Sequence, residues 1–158
     1  MDAKQLHDYI IVPVLDHLGM DSLSARLLIL GTALIESDLS SIRQRGGGPA
    51  MGLWQMEPNT HDDIWANWLV VKPDITRRVT ELMNVRWPIG ASQMMGNNYY
   101  ACAMARLHYW RLPSPLPAPD NPERLARYYK LFYNTYLGAT KEKKAIKLMK
   151  MAIALVSP

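Results

Sequence analysis

Cysteine and long apolar runs are scarce in this sequence. The chain has 158 residues and one cysteine, Cys102, which excludes an internal disulfide and a cysteine-based metal cluster. The segment YYACAMARL around it predicts a small, buried apolar residue. No apolar run approaches the roughly 20 residues that cross a bilayer, so we expect no transmembrane segment. The four histidines lack the spacing of metal ligands, and we expect neither a metal nor a cofactor.

The charge is positive but carries no nucleic-acid signature. The net charge is +4 and the pI about 9.2, which favours contact with an anionic polymer. Much of the positive charge lies in KEKKAIKLMK, a pattern typical of the solvated face of an amphipathic helix. No helix-turn-helix or aromatic-basic motif accompanies it, so we expect no nucleic-acid partner. The N-terminal segment MDAKQLHDYIIVPVL lacks the features of a secretory signal, and we expect synthesis in the cytoplasm without a signal peptide.

Helical periodicity runs through nearly the whole chain. No stretch shows sustained strand alternation between hairpin turns. The pattern and length predict one all-α domain over residues 1–158, with little or no β-sheet. Helices are predicted from about Ala3 to His17 with an interruption near Pro13, over 24–37 after a cap at Asp21 or Ser22, and over 58–70, 73–84, 92–111, 122–136 and 141–156.

The second predicted helix is strongly apolar and ends on a carboxylate, Glu36. The residues that share its helical face are Ala33, Thr32 and Ile29, and none is charged. A carboxylate in such a setting is partly desolvated, which raises its pKa and favours a protonated form that can act as a general acid. The alternative is a frayed, solvent-exposed helix end where a negative charge is mildly unfavourable.

A glycine-rich loop follows this helix. The glycines at 46–48 predict a backbone path that brings the chain close to a ligand. It is not a phosphate loop, because no Lys-Ser/Thr follows and no strand precedes it. Leu53, Trp54 and Gln55 then supply an apolar anchor, an aromatic plane and an amide, a mixture typical of sugar binding. Ordinary packing is the alternative for a tryptophan beside a glutamine.

These segments together resemble one enzyme family. Glu36-Ser37, then Ala50–Met56, AMGLWQM, and Pro58-Asn59-Thr60 resemble the soluble lytic transglycosylase pattern of the lysozyme superfamily. That pattern is a Glu-Ser pair, a Gly-rich loop, Gly-Leu-Met-Gln and Pro-x-Thr. Tyr133-Asn134-Thr135 with Gly138 is similar to its third motif, Ala-Tyr-Asn-Ala-Gly, and YYACAMARLHYW to its helix with a Tyr-Leu pair. The sequence departs from the pattern in a longer loop after Glu36. Trp54 stands where the family usually has Met, and Arg43 and Arg45 lie near positions usually filled by Ala and Ser.

The resemblance implies a lysozyme-like fold with an active-site cleft and a lytic transglycosylase activity. Such an enzyme cleaves the β-1,4 bond between N-acetylmuramic acid and N-acetylglucosamine in peptidoglycan glycan strands and leaves a 1,6-anhydro product. Glu36 would act as acid and then as base. Ser37 would hold Glu36 by a hydrogen bond, and Tyr133 with Asn134 would face it across the cleft. The substrate-binding residues implied are Ser37, Gly52, Leu53, Trp54, Gln55, Tyr133 and Asn134.

Two alternatives to this activity stay open. A hydrolytic muramidase on the same fold needs a second carboxylate. Asp38 points about 200° from Glu36 on an ideal helix and is a poor partner, so Asp62 and Asp63 are the candidates. The second alternative is a virion protein that keeps the fold without activity. We expect neither a signal peptide nor a wall-binding module, and this favours a phage enzyme that acts on the cell wall. Such an enzyme would be carried in the virion with other virion proteins or released at lysis.

Other aromatic and basic residues are predicted to have structural or accessory roles. Tyr133 could instead pack in the core, because LARYYKLFYNTYL carries aromatics at helical spacing. The tryptophans outside the motif are expected in the core: Trp65, Trp68, Trp87 and Trp110. The basic face with Lys143, Lys144 and Lys147 is hypothesised to assist the approach to anionic cell wall.

Overall fold

The computed structural model describes residues 1–84, 90–134 and 139–157. Within these ranges the chain forms seven helices and no strand, which confirms the all-α prediction. Their bounds are α1 (Ala3–Leu6, a π-helical turn His7–Ile11, and Val12–Leu18), α2 (Leu23–Ser37), α3 (Pro58–Asp63, a π-helical turn Ile64–Trp68 and a 3₁₀ turn Leu69–Val71), α4 (Pro73–Glu81), α5 (Asn98–Trp110), α6 (Pro122–Phe132) and α7 (Ala139–Val156). Trp87, Thr135 and Gly138 lie outside the described residues. None of the helices described here has the length and apolar character to span a membrane.

The interruption predicted near Pro13 is a change of helical form within α1. The π-helical turn His7–Ile11 comes directly before the proline segment. A proline lacks an N–H and its ring crowds the preceding turn, so a wider turn there keeps the helix continuous. The helix ends at Gly19 in the left-handed region, and Ser22 caps α2 by accepting from the Ala25 N–H at 3.1 Å. Ser22 is therefore the cap that the sequence left open.

The buried side chains form one apolar cluster around α2 and α5. α2 and α6 both pack against α7. Gly31 allows α2 to pack closely against α7, because a Cβ at this position would lie 2.2 Å from the sulfur of Met149 on α7. In α5 every residue from Tyr100 to Leu107 is buried, which confirms the burial predicted for this segment, and Cys102 is among them. These helices form the rigid support on which the polar residues described below are held.

The prediction of one helix over 92–111 is wrong at its start. A 3₁₀ turn, Ala91–Met95, ends at Gly96, and α5 begins anew after Asn97. The Asn97 side chain accepts from the Tyr100 N–H at 3.1 Å, a capping bond that fixes the new start.

The expectation for the isolated tryptophans holds only in part. Trp65 and Trp68 are partly buried against the core. Trp110 is 44% exposed and has the Arg106 guanidinium over its ring at 5.0 Å. It lies at the end of α5, where the helix leaves the core, so its placement in the core was wrong.

Candidate active site

A cavity of about 570 Å³ opens where α2, α5 and α6 end. The irregular segment 38–57 forms one wall, and residues of α5 and α7 and those after α6 form the other. The polar side chains that line it are Glu36, Ser37, Asp38, Ser41, Gln44, Arg45, Gln55, Glu57, Thr60, His108, Tyr133, Asn134 and Lys144.

Glu36 is the half-buried carboxylate of this cavity. Its Oε1 accepts hydrogen bonds from the Tyr129 hydroxyl at 2.5 Å and from Asn134 Nδ2 at 3.3 Å. Burial raises the pKa of Glu36, although the two hydrogen bonds and the Lys141 charge act in the opposite direction. The desolvation expected from the apolar face of α2 is thereby confirmed. No donor among the described residues contacts Oε2, so this oxygen is available to a ligand.

A cluster of tyrosines packs beside Glu36, and one of them donates to its carboxylate. Tyr129 and Tyr133 stack with ring centroids 6.0 Å apart, and Tyr133 lies 5.2 Å from Tyr109. Burial and the Glu36 charge both raise the pKa of Tyr129, so its hydroxyl keeps its proton and donates. The sequence reasoning did not select Tyr129. The available signal was its spacing of four residues from Tyr133, the C-cap of α6, which predicts that both side chains lie on one face of that helix end.

The backbone beside Glu36 is held in sparsely populated conformations. Asp38, Leu39 and Gln55 have φ values of 51°, 53° and 46°. Left-handed conformations cost non-glycine residues about 1 kcal/mol or more each and persist where the surroundings over-determine them. Leu39 is buried in the core and anchors this segment. Three such residues around one carboxylate are typical of a functional site.

Ser37 does not hold Glu36 as the resemblance implied. Its buried hydroxyl donates to the Ala33 carbonyl at 3.0 Å, one turn back along α2. Successive helical residues point about 100° apart, so the hydroxyl is directed away from its neighbour's carboxylate. Tyr129 and Asn134 provide the hydrogen bonds that were expected from Ser37.

Trp54 is a core residue and not a sugar platform. It is 1% exposed, and its Nε1–H donates to the Ile29 carbonyl at 2.9 Å. Leu53 is also buried, and neither residue lines the cavity. The large ring fills space beneath α2, so packing is the correct interpretation of this motif position.

Gly52 is required by packing and not by a ligand. Its φ is +74°, and a Cβ would lie 2.5 Å from the Met94 carbonyl oxygen. Its N–H donates to the Ile42 carbonyl at 2.8 Å, and its carbonyl accepts from Gln55 Nε2 at 2.9 Å. These bonds occupy both backbone groups of Gly52, the residue that the resemblance implied for substrate binding.

Gln55, Tyr133 and Asn134 do line the cavity. Gln55 uses Nε2 for the bond to Gly52, while no donor among the described residues contacts its Oε1. The Tyr133 hydroxyl donates to the Trp54 carbonyl at 2.7 Å and thereby ties α6 to the loop. Asn134 contacts Glu36 directly. The structure therefore brings Glu36, Ser37 and these three together and leaves out Gly52, Leu53 and Trp54.

The glycine-rich loop is a closed turn at the rim of the cavity. Gly46 and Gly47 have φ values of +82° and +85°. Gln44 closes the turn, because its N–H donates to the Ala50 carbonyl at 2.9 Å and its Oε1 accepts from the Ala50 N–H at 3.2 Å. Arg45 lines the cavity and is braced by the hydroxyls of Ser41 and Ser40 at 2.9 and 3.0 Å. The glycines are not among the lining residues, so their role is to shape the turn.

The carboxylates proposed as partners of Glu36 lie elsewhere. Asp62 pairs with His61, Asp63 pairs with Arg111, and neither lines the cavity. Asp38 and Glu57 do line it. The ideal-helix angle argued against Asp38, but α2 ends at Ser37 and the next residue has φ 51°, so that angle does not apply. Glu57 was missed because it lies in irregular backbone without a periodic signal.

Comparisons of the chain with protein-family models, with curated proteins and with solved structures give no match. Functional inference therefore depends on the residues and their geometry.

Proposed function

We propose that this protein is an enzyme that cleaves glycosidic bonds with Glu36 as its acid and base. The observation that carries the proposal is the half-buried Glu36 carboxyl, which lines the cavity, has a raised pKa, and accepts its hydrogen bonds from described residues through Oε1 alone. Tyr129 and Asn134 both donate to Oε1, and this arrangement leaves Oε2 to carry the proton of the neutral acid. A ligand oxygen in the cavity thus meets an acid that donates.

Within that class, the motifs that resemble soluble lytic transglycosylases favour a peptidoglycan lytic transglycosylase with a lysozyme-like fold. Glu36 Oε2–H would protonate the glycosidic oxygen as the bond from C1 breaks. The N-acetyl oxygen of the muramic acid would support the electron-deficient C1. The Glu36 carboxylate would then take the proton of the C6 hydroxyl while that oxygen bonds to C1, giving the 1,6-anhydro product. Tyr129 and Asn134 would stabilise the carboxylate between the two proton transfers.

Mass spectrometry of the fragments released from purified peptidoglycan tests this proposal. Wild-type protein should release anhydro-muropeptides, and Glu36→Gln, which keeps the shape and removes the acid, should release none. Glu123→Gln is the matched control, because the Glu123 carboxylate pairs with Lys150 and does not line the cavity. Anhydro products from Glu36→Gln at the wild-type rate would overturn the proposal. Wall binding without fragments from either protein would favour a structural virion protein.

A hydrolytic muramidase is the second candidate, because Asp38 and Glu57 line the same cavity as Glu36. Hydrolysis adds one water, so its fragments are heavier than anhydro fragments. If hydrated fragments form, Glu57→Gln or Asp38→Asn should abolish them, and Asp62→Asn should not. Action from a phage particle or at lysis stays a prediction from the sequence.

A further inference from the structure

His108 is a cavity-lining residue that the acid and base chemistry does not use. It lies in the last turn of α5 and packs edge-on against the Tyr133 ring, with centroids 4.9 Å apart. Tyr133 in turn stacks on Tyr129, the donor to Glu36. His108 is therefore linked to the proposed acid through two aromatic rings, Tyr133 and Tyr129.

The hydrogen bonds of His108 define which nitrogen carries the proton. Arg111 Nη2 lies 3.1 Å from His108 Nδ1. A guanidinium has only donors, so Nδ1 must be the acceptor and the neutral ring carries its proton on Nε2. Burial and the Arg111 charge lower the pKa of His108 to about 4. The ring is thus neutral at physiological pH.

Arg111 is itself fixed. Its Nη1 donates to Asp63 Oδ2 at 2.5 Å, and Asp63 also accepts from Asn67 at 2.7 Å. Arg111 Nε is buried and has no hydrogen-bond partner in the part of the chain that the structure describes. This arrangement is unfavourable, and the two other bonds of the guanidinium must offset it. The hydrogen bonds that Arg111 donates to Asp63 and to His108 fix the orientation of the imidazole. A bond at one ring nitrogen sets which nitrogen carries the proton, as in catalytic histidines.

His108 lines the cavity, and its remaining nitrogen is Nε2. Within the described residues it has no hydrogen-bond partner, and it is not one of the buried atoms that lack one. A neutral N–H donor suits an uncharged acceptor such as a sugar hydroxyl or an acetamide oxygen, whereas a carboxylate would favour a cation.

We propose that His108 is a substrate-binding residue, whose Nε2–H donates a hydrogen bond to an uncharged oxygen of the bound glycan. Arg111 and Asp63 hold the imidazole in the required tautomer. The inference rests on the proposed function, because it assigns a contact within the same glycan-binding cavity. In this proposal Asp63 holds Arg111, and it is not the second carboxylate that a hydrolase needs.

Histidine side-chain NMR tests the inference in the Glu36→Gln background, where a glycan is not cleaved. At pH 7, His108 should show the Nε2–H tautomer. Titration with N-acetylchitopentaose should shift the His108 Nε2 resonance saturably and leave that of His17 unchanged, since His17 bonds the Arg78 carbonyl and neither residue lines the cavity. A spectrum that shows His108 as the Nδ1–H tautomer would overturn the inference.

The same titration separates failure of the inference from failure of the proposed function. If the side-chain amides of Gln55 and Asn134 shift while His108 does not, the glycan binds and the inference is wrong. If no cavity resonance shifts and wild-type protein releases no fragments from peptidoglycan, both the proposed function and the inference fail.

Kinetics supply the second test. His108→Leu should raise KM for peptidoglycan about 3- to 10-fold with little change in kcat, as expected for loss of one hydrogen bond between uncharged groups. His108→Gln keeps an N–H donor and should restore most of the loss, and His17→Gln is the matched control. Equal KM values for the Leu variant and wild type would contradict the proposal.

Discussion

Replacement of Trp54 distinguishes the structural role found here from the sugar-binding role expected of its motif position. Trp54→Phe removes the Nε1–H donor to Ile29 and part of a ring that is 1% exposed. The lost hydrogen bond contributes about 1 kcal/mol, and the partly filled cavity adds about 1 kcal/mol. We expect the free energy of unfolding to fall by about 2 kcal/mol, a decrease of about 4–8 °C in Tm for a chain of this size.

Urea unfolding followed by far-UV circular dichroism measures this change. Trp110→Phe is the matched control, because Trp110 is 44% exposed and its loss should cost less than about 1 kcal/mol. The affinity of Trp54→Phe for N-acetylchitopentaose in the Glu36→Gln background should stay within about twofold of the parent. An unchanged unfolding free energy together with affinity weakened several-fold would refute the core assignment and restore the sugar platform.

Two further predictions concern the environment of Glu36. Tyr129→Phe removes a hydrogen bond that lowers the pKa of Glu36, so the high-pH limb of kcat/KM should move to higher pH. The control is Tyr128→Phe, which should leave that limb in place because the Tyr128 hydroxyl donates to the Ser114 carbonyl. A shift to lower pH in Tyr129→Phe would contradict the assigned donor. The folded pKa of Glu36 is raised, so stability is greatest when the carboxyl is protonated and falls as pH rises through that pKa. We therefore expect the unfolding free energy of Glu36→Gln, measured in urea relative to that of wild type, to be higher at pH 8 than at pH 4. An equal difference at both pH values would exclude the burial effect.

The all-α character, the burial of α5 and the desolvation of Glu36 could be predicted from the sequence. Each depends on neighbours within one helix: the apolar periodicity defines the buried face, and Ala33, Thr32 and Ile29 define what surrounds the carboxyl. Capping is equally local, since Ser22 and Asn97 act on N–H groups three residues away. Interactions of this range follow from helical geometry, which the residue order sets directly.

The partners of Glu36 were decided only by the tertiary structure. Tyr129 reaches it across 93 positions of the chain, and one hydroxyl or indole can serve a core or a cavity with the same local sequence. Trp54 lies inside because α2 packs on the loop, while Asp38 and Glu57 reach the cavity from irregular backbone. The sequence by itself determined that a desolvated acid ends an apolar helix. The long-range packing of α5 and α6 decided which side chains surround it, because the lowest free energy of packing depends on the shapes of all contacting elements at once.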